Sequence, residues 1–190
     1  MQRLLVLLVA AGFTACRPGG DHRAGAVDSV TPWDVALAAF RADLPLVRGL
    51  DGGATSLEAL VDSFQVRVAR ADTAGLVALT MSRAEFGWLY YPTLPEAHPP
   101  YDLSPALMWF TAQGPGRRGL TTLLALRARG RMEIVGWSCP PARVYGENAV
   151  YTSCTVRHAL PSGDTLQERL FGAIVERDGH FKFLNLSNSL

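Results

Sequence analysis

The side chains best able to do chemistry in this 190-residue chain are His158 and Glu168. Alternation of apolar and polar residues from Ala149 to Leu160 predicts a strand, with Val150, Thr152, Cys154, Val156, His158 and Leu160 on one face. An imidazole on a cavity-facing strand can act as a general base, because free imidazole titrates near working pH. Glu168 shares a face with Leu170 on the following strand and is the carboxylate that would orient the ring. The competing reading is a histidine with a structural role or on an outward face, since no triad or dyad spacing accompanies it. A second group is aromatic. Trp88, Tyr90, Tyr91, Tyr101 and Trp109 crowd a proline-rich stretch. Tyr90, Tyr91 and Trp109 would suit a lip over a pocket for a lipid-like, aromatic or glycan ligand. The same rings would equally serve as a plug holding an irregular segment down.

The other motifs exclude more than they add. No G-x-x-x-x-G-K-[ST], G-x-S-x-G or H-E-x-x-H occurs, which removes the commonest nucleotide, hydrolase and zinc-protease readings. His22, His98, His158 and His180 are too scattered for a metal site by spacing, and no cofactor is implied. A formal net charge of +1 gives no case for nucleic acid. Arg117, Arg118, Arg127, Arg129 and Arg131 surround one helical segment. They read as a solvated face that partly complements the helix dipole, or as a contact to anionic headgroups. Lys182 is the only lysine among 18 basic residues, a bias that reads as coding composition.

The address is clearer than the activity. Met1-Gln2-Arg3 is a basic start, Leu4 to Ala11 an unbroken apolar run, and Phe13-Thr14-Ala15-Cys16 a small-residue junction. This order resembles the lipobox signal of bacterial lipoproteins, with Phe13 standing where leucine is usual. The resemblance implies cleavage after residue 15, acylation of Cys16 and residence in the cell envelope. Arg17 in place of aspartate favours the outer membrane, facing the periplasm. An uncleaved spanning helix would need about 20 apolar residues, and Gly12, Thr14, Arg17 and Pro18 interrupt this run. Residues 16–31 then form a lipid-anchored tether of about 20 Å root-mean-square reach. With Cys16 given to lipid, Cys139 and Cys154 remain as a pair in an oxidising compartment. A disulfide is expected, against free thiols or a redox pair that lacks C-x-x-C spacing.

The elements that would position these groups are helical first and stranded last. Thr31-Pro32 predicts a helix start, with Trp33, Leu37, Phe40 and Leu44 on one face and a loop to residue 54. Thr55 and Glu58 form a capping box over a stripe of Leu57, Leu60, Val61, Phe64 and Val68. Asp72 caps a short helix, and Ser82 with Glu85 repeats the box before Phe86 to Pro92. Pro92 to Pro105 is irregular. A helix restarts at Ser104-Pro105, Gly114-Pro115-Gly116 breaks it, and another carries Leu120 to Leu126 before Gly130. Strands follow at 132–139, near 143–145, and at 149–160, 165–176 and 180–186, the last three as an antiparallel meander. The fold class is α+β, helices packed on a curved antiparallel sheet.

From Ser56 to Leu190 this order resembles the NTF2-like (SnoaL-like) superfamily. Ala71-Asp72-Thr73-Ala74-Gly75-Leu76 looks like its helix junction and Gly179-His180-Phe181-Lys182-Phe183 like its last strand. Phe86-Gly-Trp-Leu-Tyr-Tyr-Pro, with Pro99-Pro100-Tyr101 and Met108-Trp109-Phe110, resembles a narrower family of bacterial envelope proteins. The superfamily implies a cone-shaped sheet around a cavity, used for binding or for catalysis, and fold alone does not choose. The expected function is a non-catalytic binding or assembly module on a lipid anchor, its partner a small apolar ligand or an envelope protein. The alternative is an isomerase or dehydratase using His158 as base, and a third reading is a dimer through the sheet face.

Overall fold

The computed structural model describes residues 31–128, 133–160 and 162–189. The expected leader, Cys16, nearly all of the tether and the expected helix stop at Gly130 lie outside the described residues. Thr31–Leu190 forms one compact unit.

Its helices are α1 (Trp33–Arg41), α2 (Leu57–Arg70), α3 (Thr73–Ala78), α4 (Arg83–Glu85) and α5 (Pro105–Ala128). A π-helical turn, Phe86–Tyr90, and two 3₁₀ turns, Tyr91–Thr93 and Pro95–Ala97, link α4 to α5. The strands form two antiparallel sheets. One has the order β1-β4-β5, from β1 (Glu133–Ser138), β4 (Thr155–Ala159) and β5 (Thr165–Glu168). The other has the order β2-β3-β6-β7, from β2 (Arg143–Tyr145), β3 (Asn148–Tyr151), β6 (Ile174–Arg177) and β7 (His180–Phe183). The class is α+β, and among the described residues no sheet closes into a barrel.

Local signals account for most helix starts. Asp72 accepts from the Gly75 amide, and Ser82 and Glu85 form the reciprocal box. Two starts move by one residue. The cap of α2 is Ser56, whose hydroxyl accepts from the Ala59 amide, in place of Thr55; α1 begins after Pro32. The largest correction is α5. The Gly114-Pro115-Gly116 break does not occur, and one 24-residue helix runs through it. The glycines there serve packing. A Cβ on Gly119 would collide with the Leu186 carbonyl, and one on Gly116 would press on Asn185 at 3.0 Å. Asn185 and Asn188 donate to the Ala112 and Gly119 carbonyls, laying the C-terminal segment along the helix. That seam outweighs the roughly 3 kcal/mol cost of an interior proline.

The expected meander is also interrupted. The strands 149–160 and 165–176 are antiparallel partners along their length, Tyr151 facing Ile174 and Val156 facing Glu168, but each breaks in the middle. Ser153 takes a positive φ of 58° at the break. That residue shifts the alternation, so the single face expected for Val150 through Leu160 divides. Val150, with Val175, faces the core of Leu37, Phe40, Phe86 and Tyr91. Cys154 and Val156 face the other core, around Leu60, Phe64, Leu123, Ile174 and Phe183. The sheet β2-β3-β6-β7 is covered on both faces, and α5 spans both cores, Met108 and Trp109 in one and Leu120 to Leu126 in the other.

Candidate functional site

Among the concavities and side-chain pairs of the described residues, two of each bear on the expected chemistry and recognition. The larger concavity is a groove of about 500 Å³ between α5, the π-helical turn, β2 and β3. Phe86, Leu94, Val150 and Leu184 supply an apolar floor, Leu103 and Met108 one wall, and Tyr145 another. The capping box at Ser82 starts the helix that delivers Phe86 and Tyr90 to this floor. Burial, and then the nearby Glu96 and Tyr145, push the Tyr90 hydroxyl well above its ordinary pKa, so it stays a neutral donor. Arg143 and Glu96 reach the groove from exposed positions.

The aromatic cluster divides between lip and plug. Of Tyr90, Tyr91 and Trp109, only Tyr90 lines the groove. Tyr91 is buried and donates to the Leu103 carbonyl at 3.0 Å, and Trp109 packs on Phe86 with ring centres 5.2 Å apart. Leu94 and Leu184 carried no distinguishing sequence signal, and they reach the groove from segments separate from those of Met108 and Val150.

The smaller concavity, about 240 Å³, is walled by Thr122, Ala125 and Leu126 of α5, with His158, Leu160, Leu166 and Glu168. Registry brings the pair together. Val156 faces Glu168 and His158 faces Leu166, so His158 and Glu168 are diagonal neighbours on one face. His158 Nε2 lies 3.1 Å from Glu168 Oε2. His158 is buried at 2% exposure and Glu168 is half-buried.

A second pair went unread in the sequence. Lys182 Nζ contacts both Glu85 oxygens at 3.0 Å and donates to the Asp51 carbonyl at 2.8 Å. The Asp51 and Ser82 amides donate to the same carboxylate. Burial raises the Glu85 pKa, but the Ser82, Asp51 and Lys182 hydrogen bonds outweigh it and hold the carboxyl below its ordinary value. The available signal was a lone lysine between Phe181 and Phe183, on the face that Val175 buries.

Cys139 and Cys154 form a disulfide with Cα atoms 4.2 Å apart, tying the end of β1 to the start of β4 around the β2–β3 hairpin. No group of three or more His, Cys, Asp or Glu among the described residues could hold a metal ion. No described helix is long and apolar enough to cross a membrane. What fold and site define is an α+β domain with an aromatic-floored groove. No protein-family profile, curated protein or solved structure matches the chain.

Proposed function

We propose that this protein is a lipid-anchored envelope module that binds a small apolar ligand in the groove above Phe86 and Tyr90. The groove is the observation that carries the reading. Its volume falls in the range of roughly 300–1,000 Å³ typical of ligand sites, and its floor is apolar with one neutral phenol to orient a guest. Anchoring rests on the lipobox-like Phe13-Thr14-Ala15-Cys16, with the outer membrane facing the periplasm as the location. The disulfide agrees with export to an oxidising compartment. The NTF2-like cone belongs to the same proposal. Its support is the broken pairing of residues 148–159 with 165–177, which makes the two sheets arms of one bent hairpin.

The test is direct. Protein purified from its own membranes is extracted, and bound apolar molecules are identified by mass spectrometry. Thr111→Trp, at an exposed position on the groove wall, fills the site without entering a core and removes the bound molecule. Wild-type protein that carries no apolar molecule and binds no apolar fluorescent dye overturns the reading.

A specific observation favours a second reading. An imidazole and a carboxylate meet on the wall of the smaller cavity, the minimum arrangement for general-base proton transfer. It ranks second because that cavity is below the usual ligand range and the histidine is nearly enclosed.

A further inference from the structure

We infer that the face of the domain formed by residues 101–110 of the α5 approach, together with the exposed side of α5, docks on the lipid surface. The inference rests on the lipid-anchor reading, and it assigns the membrane a second contact, made by the folded domain itself.

Exposure comes first. Tyr101 is 61% exposed, Leu103 38%, Leu107 49% and Phe110 69%. Four large apolar side chains within ten residues form a patch, where scattered single ones would need no explanation. On α5, Leu107, Phe110, Arg117 and Arg118 fall within about 100° of helical surface at 3.6 residues per turn. Both arginines are exposed, and they lie about 10 Å along the axis from Phe110. The 24 residues of α5 include no aspartate or glutamate. Apolar tips flanked by guanidinium groups suit the acyl boundary and the headgroup phosphates respectively. Asp102 and Glu96 stand beside the patch, so apolar insertion supplies most of the attraction and the arginines add to it.

The anchor reading, with the point where the chain enters the domain, selects a bilayer over other occupants. The tether enters the domain at Thr31, and Trp33 stacks on His98 with ring centres 5.4 Å apart. Trp33 also lies beside the Tyr91 hydroxyl, which donates to the Leu103 carbonyl. The entry point is therefore two side chains away from the patch. An acyl group on Cys16, fifteen residues before Thr31 in the sequence, keeps this side of the domain near the membrane. Tethering makes the contact effectively intramolecular, so a patch too weak to bind free protein suffices. Leu103 belongs to both the patch and the groove wall, which sets the groove beside the bilayer.

The experiment uses residues 16–190 coupled through the Cys16 thiol to maleimide-headgroup lipid, in vesicles of phosphatidylethanolamine and phosphatidylglycerol. Coupling imposes the tether whether or not cells acylate Cys16. Brominated acyl chains should strongly quench the emission that Phe110→Trp adds to that of the four native tryptophans. Leu166→Trp, against the Leu126 end of α5 about 24 Å away, should remain unquenched. Untethered Thr31–Leu190 should bind the same vesicles weakly, with a loss of about tenfold for Phe110→Ser. Arg117→Gln should lose about fivefold on these vesicles and nothing on neutral phosphatidylcholine. Equal quenching at both positions, or none at Phe110→Trp, overturns the inference. So does a concentration-dependent dimer abolished by Phe110→Ser, which reassigns the patch to a second copy. If the patch inserts while Cys16 incorporates no fatty acid in cells, the anchor reading fails and the patch stands.

Discussion

Two side-chain pairs among the described residues, one fully buried and one half-buried, have opposite character, and their difference separates structure from chemistry. At Glu85–Lys182 every capacity is used. The carboxylate takes two amides and the ammonium, and the ammonium spends its third proton on the Asp51 carbonyl. At His158–Glu168 one hydrogen bond joins the pair, and the rest of it borders a cavity. The first pair joins the loop at Asp51, the start of α4 and β7, and has nothing left to offer a ligand. The second sits on two strands already held by their own ladder, so the fold does not depend on it.

The contrast breaks most visibly at Lys182. Lys182→Met leaves a buried carboxylate without its cation and should cost about 3–5 kcal/mol, read from the denaturation midpoint. Adding Glu85→Leu should recover only part of this, because the Asp51 and Ser82 amides then lack an acceptor. The pH dependence follows the same pair. Glu85 has a folded pKa below its unfolded value, so its stabilisation is complete above the ordinary carboxylate range and is lost as pH falls through the lowered value. Glu85→Gln should remove that part of the acid transition. An acid limb that is identical in wild type and Glu85→Gln would show that the pair contributes nothing.

A smaller loss is expected at the disulfide, which steadies the strand carrying His158 and leaves Glu85–Lys182 untouched. Cys139→Ser with Cys154→Ser should lower stability by about 3 kcal/mol for a loop of this length. Thiol labelling of the denatured, unreduced exported protein should find neither residue free.

How far these features were legible depends on the range of the signal. Local ones were. The Asp72 cap, the Ser82–Glu85 box and the stripe of Leu60, Val61, Phe64 and Val68 follow from neighbours within one or two turns. His158 and Glu168 were legible because adjacent strands and a short turn leave little freedom of registry. Features made by distant packing were not. Gly114-Pro115-Gly116 carries breaker residues, but Asn185, Leu186 and Asn188 arrive from about 70 residues away and keep the helix whole. Ser153 has no composition that announces a positive φ, so the division of one strand face between two cores could not be foreseen. Lys182 was dismissed as composition because its partners lie 97 and 131 residues upstream.

The smallest expected effect is the one that decides what the open pair does. Glu168 is half-buried, so Glu168→Ala removes a single hydrogen bond without leaving a deep void. A structural role predicts a stability change of about 1 kcal/mol, and groove-ligand affinity within the same limit, since the two concavities share no residue. A catalytic role predicts the same small stability change with a different signature. His158 would then be the base, and His158→Ala would cost about 10²-fold or more in turnover of a small apolar substrate while binding persisted. Glu168→Ala, removing only the orienting partner, would lower the rate less and leave KM in place. The expected result is no turnover to lose in either variant. Turnover abolished at His158 with Thr111→Trp still active would move the working site from the groove to the smaller cavity, because Thr111→Trp blocks only the groove.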